Sequence, residues 1–388
     1  MSPAPPRQIG LALSGGGARA MAFHLGCLRA LHDRGILEQV RVLSTVSGGS
    51  VIGAMYAYSD DDFEAFDARV VNVLRRGLAG SILSRVLSPT DLVASFFTSL
   101  SASVLALGAD ILRVVAGRFS RRVRRMQPPL RRWHSRTTSF ERSLDALIFG
   151  KARMSDVKRR TRHGALDVFI NATELRTGTA FRFASDVVGS RRHGTITAAS
   201  VPVSLGVAAS AAYPVFLPAL DCEMELTTKG GETKRQRVLL TDGGVYDNLG
   251  TAPMEPDRDP SVSAHIARPD YIIACDAGAG VVEGKSIPYW WLTRMTAAFE
   301  TVFRRVQNDT RNRLHRHASD GRIKGMVMPY LGQDDARLPW APPDLVARRC
   351  VIDYPTDFSP MSEENVRLLT RRGEQLTRVL LMHYMHDI

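Results

Sequence analysis

Three short glycine-rich turns carry the residues whose types and spacing suit acyl-transfer chemistry. Ser47 stands between the apolar run Val40–Val46 and a small-residue stretch, Val51–Tyr58, and is followed by Gly48 and Gly49. A serine on a tight strand-to-helix turn with small neighbours is the arrangement of a nucleophile elbow. The following helix aims its N-terminus at the site, where its dipole favours developing negative charge. The same residues also read as a serine N-cap in a glycine-rich turn. Gly15, Gly16 and Gly17 likewise join an apolar run to a helical pattern. Backbone N–H groups there can point into one cleft with no side chains in the way, as an oxyanion hole requires. Arg19 adds a positive charge close by. The competing reading is a phosphate loop, since Gly15, Gly17 and Ala20 fit a loose dinucleotide fingerprint. That fold needs an acid at the end of the second strand, and the nearest acid, Glu38, precedes it. Asp242 ends a third apolar run and is followed by Gly243 and Gly244. It is either a turn aspartate or a general base. An ordinary aspartate titrates at about 3.9, so the second role requires a dry cleft that raises it.

No other residues compete strongly for that role. None of the ten histidines lies in an active-site signature. His315 and His317 flank Arg316 in a basic helical stretch and read as solvated. There is no HExxH pattern, so neither a catalytic metal nor a cofactor is expected. Cys27, Cys222, Cys275 and Cys350 form no CxxC pair. They read as buried free thiols in a reducing compartment.

The elements that must position these turns follow from apolar periodicity. Gln8–Leu13 and Val40–Val46 read as buried strands. A helix is expected from Ala20 to Arg34, with Phe23, Cys27, Ala30 and Leu31 on one face and Gly35 as its stop. Two strand–turn–helix units within sixty residues argue for a layered α/β fold with a mainly parallel sheet. Leu166–Thr173, Ala180–Ala184, Val238–Thr241 and Tyr271–Cys275 continue the strands. Met224–Arg237, with Gly230-Gly231, reads as a hairpin. A last helix starts near Ser362, a good N-cap.

The intervening segment differs. Leu92–Ala109 is uncharged, and a basic run from Arg118 to Arg136 follows it. Its length reaches the lower limit of a bilayer span, but interspersed serines dilute it. A membrane span, an interfacial helix or lid, and an ordinary buried helix are the three readings open to it. The whole chain of 388 residues carries a net charge of +12, and only six of its 51 basic residues are lysine. Such a field favours anionic partners. The chain shows no RNP, zinc-finger or basic-zipper pattern, so nucleic acid ranks last among them. The first residues, Met1–Gln8, hold no apolar signal region, which points to a cytoplasmic protein.

Taken together, Gly15-Gly16-Gly17-Ala18-Arg19, Ser47-Gly48-Gly49 and Asp242-Gly243-Gly244 resemble the patatin-like phospholipase family. Asn171-Ala172-Thr173 and Ala209–Pro214 resemble that family's internal segments. The resemblance implies a three-layer α/β/α fold with a mainly parallel central sheet, formed by a single domain over residues 1–388 with a helical, Arg-rich insertion or cap at 60–160. It implies hydrolysis of lipid acyl esters, most often phospholipids, through an acyl-serine intermediate and without metal. Ser47 becomes the nucleophile and Asp242 the base. Gly15, Gly16, Gly17, Arg19 and Gly48 form or support the oxyanion hole, and Gly49, Gly243 and Gly244 support the turns. The expected partner is a membrane phospholipid or other long-chain lipid, met by peripheral contact with the membrane surface; oligomeric state is left open. Two positions depart from the family pattern. Thr45 replaces the first glycine of Gly-x-Ser-x-Gly, and Ala20 replaces the last glycine of the loop. A β-branched residue two places before the nucleophile would crowd the elbow, which leaves a nonenzymatic membrane-associated scaffold as the alternative.

Overall fold

The computed structural model describes residues 8–78, 101, 104–105, 107–109, 111–115, 134–214, 216–280 and 287–385. Strand β1 (Ile9–Leu13) leads through the glycine loop into helix α1 (Gly17–Asp33), and β2 (Val40–Val46) leads through Ser47 into α2 (Gly48–Ala57). Helices α3 (Phe63–Arg76) and α4 (Arg136–Leu144) follow, then a two-stranded ribbon of β3 (Arg160–Thr161) and β4 (Gly164–Ala165). The remaining strands are β5 (Asp167–Glu174), β6 (Thr179–Ala184), β7 (Val187–Ser190), β8 (Gly194–Thr197), β9 (Leu220–Thr227), β10 (Thr233–Asp242), β11 (Tyr271–Cys275) and β12 (Gly325–Val327). Between and after them lie α5 (Val203–Ser210), the short α6 (Gly244–Asp247), α7 (Trp291–Ser319) and α8 (Glu363–Tyr384).

The main sheet runs β10-β9-β8-β7-β6-β5-β2-β1-β11-β12. From β5 to β12 every neighbour pair is parallel. These strands are buried on both faces, which is why β1 and β2 read as near-continuous apolar runs. Alternate residues separate the two faces. Ile9, Leu11, Leu13, Leu43 and Ile273 join α1, α2, α3 and α8 in one cluster. Ala12, Val42, Phe169, Ile272 and Ala274 face the other way, against Leu249, Met254 and Leu314 of α7. The result is the three-layer α/β/α arrangement expected. The anticipated hairpin is β9 and β10.

From β5 to β10 the sheet is antiparallel, and β10 returns to pair with β5. This closure decides where the site lies. Strand β2 runs along β5 until Val46 faces Asn171. Strand β10 comes from the opposite direction along β5 until Asp242 faces Ala172. Two strands therefore end head to head at adjacent rungs, one delivering Ser47 and the other Asp242. Beside them, Leu13 pairs with both Thr45 and Cys275, so β1, β2 and β11 end level. That is the carboxyl-end crevice where open α/β sheets place ligands.

Several expectations need correcting. Helices α1 and α2 begin three residues earlier than propensity suggests, at Gly17 and Gly48. Glycine weakens a helix locally, but close backbone contacts hold these first turns. His317 is buried at 9% exposure, near Asp257, and is not solvated. Cys350 is exposed and Cys222 half-buried, so the expectation of buried thiols holds for Cys27 and Cys275 only. Leu92–Ala109 falls mostly outside the described residues, as does the basic run before His134. Among the described residues no helix is long and apolar enough to cross a membrane.

Candidate active site

Ser47 is the N-cap of α2 and has φ 52° and ψ −121°. A non-glycine residue at positive φ is strained and persists where its surroundings impose it. Here the imposition comes from close packing of two glycine turns. A Cβ on Gly48 would lie 2.1 Å from the Gly17 carbonyl oxygen, and one on Gly49 would lie 2.4 Å from that of Leu13. The elbow and the loop thus touch backbone to backbone. Behind the elbow, Ser47 N–H donates to Ser210 Oγ at 2.9 Å. Ser210 Oγ meets Ser50 Oγ at 2.9 Å, and Ser50 donates to Thr45 Oγ1 at 3.0 Å.

Thr45 does not crowd the elbow. Its Cγ2 methyl occupies the space that a Cβ on Gly53 would fill, 2.5 Å away, and its hydroxyl serves the serine network. The volume added at one position is removed one helical turn into α2.

Asp242 is 3% exposed and Ser47 7% exposed. The Asp242 carboxyl is pushed up to about 7 by burial, against the pull of the Gly244 N–H and of the Ser47 side chain. The Gly244 N–H donates to Asp242 Oδ1 at 2.7 Å. The strand end is braced by Ser210 and Ala212, whose carbonyls accept the N–H groups of Gly243 and Asp242 at 3.2 and 3.0 Å. Thr173 Oγ1 donates to the Asp242 carbonyl at 2.9 Å. Ser210 thus contacts both turns, through its hydroxyl on one side and its carbonyl on the other.

The glycine loop divides its labour. The Gly15 N–H donates to the Asn248 carbonyl at 3.1 Å. The Gly15 N–H, one of the expected oxyanion donors, is thus already engaged. Among the described residues no acceptor meets the N–H of Gly16, Gly17 or Gly48. Those groups stand at the N-termini of α1 and α2, so two helix dipoles converge there. Arg19 donates to the carbonyls of Ala277 and Tyr354 at 3.2 and 2.9 Å. It straps the loop to the end of β11; burial lowers its pKa, and Asp276 works against that shift.

A profile of the patatin-like phospholipases matches residues 11–254, which include all three turns. The chain belongs to the patatin-like phospholipase family. That is a family of lipid acyl hydrolases. A 54-residue stretch is 52% identical to the patatin-like phospholipase domain-containing protein ZK370.4 of Caenorhabditis elegans, and covers 14% of this chain and 4% of that protein. Human GIVD cytosolic phospholipase A2 is similar in fold, with a TM-score of 0.51 and 14% identity over 96% of this chain and 59% of its own. VipD from Legionella pneumophila aligns over 98% of this chain and 68% of its own, with 13% identity and a TM-score of 0.42.

Two residues near the patatin-like site escaped the sequence reading. Ser210 lay inside a recognised block but had no assigned role. Asn248 was not singled out; its Oδ1 stands where Cβ atoms on Gly15 and Gly244 would be, 2.4 and 2.5 Å away. It follows the Asp-Gly-Gly turn by a few residues, and that proximity was the available signal.

Proposed function

We propose that this protein hydrolyses acyl esters of phospholipid through a Ser47–Asp242 dyad. The observation that carries the reading is that β2 and β10 end head to head on β5, so that a buried Asp242 carboxyl, raised to about 7 by burial, stands next to the turn that holds Ser47. In this reading the Asp242 carboxylate accepts the Ser47 proton as Oγ attacks the ester carbonyl carbon. The N–H groups of Gly16, Gly17 and Gly48 receive the developing oxyanion. The carbon–oxygen bond to the alcohol breaks, and the alcohol leaves with the proton that Asp242 took up. Water, deprotonated by Asp242, then attacks acyl-Ser47; the acyl–Oγ bond breaks, the fatty acid leaves, and Asp242 returns the proton to Ser47 Oγ. Arg19 keeps the loop in place without touching the substrate.

Access to a bilayer is part of the proposal. Helix α7 packs against α6, which follows Asp242 and Gly243 directly, and this supports a position for α7 beside the site mouth. The start of α7 and the residues before it expose Ile287, Tyr289, Trp290, Trp291, Leu292 and Met295, each by more than half. Tryptophan and tyrosine settle at membrane interfaces, and Arg294, Arg304 and Arg305 lie on the same helix. This surface, with the Arg-rich segment from about Asp91 to Arg136 as a cap, is the docking face on an anionic bilayer.

A fluorophosphonate probe should label Ser47 in the wild type, and Ser47→Ala should lose both labelling and hydrolysis of mixed-chain phospholipid. Hydrolysis that survives Ser47→Ala and Asp242→Asn would overturn the dyad. Flotation with anionic vesicles tests docking separately. Replacing Trp290 and Trp291 by serine, or Arg121, Arg122, Arg124 and Arg125 by glutamate, should reduce binding; unchanged binding in both removes the docking face.

A further inference from the structure

His24 and Cys27 sit one turn apart on α1, and Cys275 ends β11. Acyl transfer uses none of them. A ring nitrogen and two sulfurs, one donor atom from each residue, lie within 4.8 Å of one another. All three side chains have 0% exposure. The sulfur and imidazole set is the one that soft or borderline cations prefer.

The histidine supplies an independent sign of a missing partner. His24 Nε2 is 2.9 Å from the Ser14 carbonyl oxygen. A carbonyl only accepts, so Nε2 carries the proton and the neutral ring presents a lone pair at Nδ1. That Nδ1 is buried and has no hydrogen-bond partner. Leaving a buried polar atom unmet costs about 1–3 kcal/mol. A metal-ligating imidazole shows this pattern, with its far N–H fixed by a backbone carbonyl.

Charge agrees with burial. Two thiolates and one neutral imidazole cancel a divalent cation, which is what a dry interior requires. We propose that His24, Cys27 and Cys275 supply three of the ligands to one divalent cation of the zinc class beneath the glycine loop. On binding, both thiols release their protons to solvent as two metal–sulfur bonds and one metal–nitrogen bond form, with no change of oxidation state. The Gly373 carbonyl, which accepts from the Cys27 thiol at 3.7 Å, keeps the Thr377 hydroxyl at 2.7 Å.

The centre would stiffen the catalytic end of β1. Ser14 offers its carbonyl to His24, donates its N–H to the Cys275 carbonyl at 3.1 Å, and accepts the Ala277 N–H on Oγ at 2.8 Å. The residue after Ser14 opens the loop that holds the oxyanion donors, so a cation here would clamp α1 to β11 directly below them.

The test is metal content and spectroscopy on the full chain, purified under reducing conditions without a metal-affinity resin. Wild type should carry about one equivalent of Zn2+, and the stripped protein titrated with Co2+ should show a thiolate-to-metal absorption band. Cys27→Ser and Cys275→Ser should lose the band, and Zn2+ should raise the Tm of wild type only. His24→Gln should raise the Zn2+ Kd by about tenfold or more. Wild type that takes up neither Zn2+ nor Co2+ overturns the centre. So does unchanged stoichiometry in the cysteine variants, or an intact mass lower by the two thiol hydrogens, which would mark a Cys27–Cys275 disulfide. Should the variants fail to fold, the wild-type stoichiometry and spectrum still decide.

Discussion

The burial that would fit Asp242 for its proposed role as a base costs stability. Unfolded, an aspartate titrates at about 3.9; in the fold this one is held near 7. The proposed dyad needs the carboxylate, so kcat/KM should rise with pH through a midpoint near 7 and fall away below it. Stability runs the other way. A raised folded pKa means the group's stabilising contribution is complete below the unfolded value and is lost as pH climbs through the folded one. Asp242→Asn, fixed in a neutral form, should therefore be inactive yet more stable than wild type at pH 8, by on the order of 4 kcal/mol. Near pH 4 the gain should vanish, and urea melts at the two pH values measure the difference. Thr45 gives a second residue-scale prediction. A methyl added at Gly53 meets the Thr45 methyl at 2.5 Å, so Gly53→Ala should cost about 1–3 kcal/mol. Thr45→Ser in the same chain should recover most of that loss, an interaction that a double-mutant cycle reads directly.

Helices α1 and α8 show how elements hold the loop at its register. A Cβ on Gly26 would lie 1.8 Å from the Thr370 carbonyl oxygen, and one on Gly373 would lie 2.1 Å from that of Phe23. The two glycines let the helices approach backbone to backbone, each on the other's surface. Because α1 starts at Gly17, any tilt that separates the pair moves the Gly16 and Gly17 N–H groups. Gly26→Ala should destabilise the chain by about 3 kcal/mol or more, since a backbone carbonyl yields less readily than a side chain. It should also slow fluorophosphonate labelling, as measured by the rate at a fixed probe concentration. Periodicity located α1 and α8 from their apolar faces. It gave no reason to expect the glycine contact, because Gly26 in a helix reads only as a local weakness.

Across the whole molecule, the family match stops at Met254 while the sheet does not. Strand β11 pairs with β1 along its full length, and Arg19 and Ser14 both bond to its end. A chain ending at Met254 would expose one edge of β1 and uncover α1. It should be recovered only as aggregate, and soluble, probe-labelled protein of that length would contradict this view of the fold. The far segment is held in turn by Arg372, fully buried, which donates to the carbonyls of Leu331, Gln333 and Val346 and to Asp335.

The sequence alone determined the three turns and the strands that feed them. A strand buried on both faces must be apolar along its run, and a turn that allows close backbone approach must be glycine, so both leave local marks. The turns at Gly15-Gly16-Gly17, Ser47-Gly48-Gly49 and Asp242-Gly243-Gly244 were legible for that reason. Only the tertiary structure decided which N–H groups remain open. Gly15 is spent on Asn248, a contact between residues far apart in the chain. Ser210 as a brace, Gly53 as the space for Thr45, and the meeting of His24 with Cys275 depend likewise on pairs that no local pattern encodes. The antiparallel return of β10 to β5 was not foreseen either, because strand pairing is settled by the packing of the whole sheet, and that return brings Asp242 to Ser47.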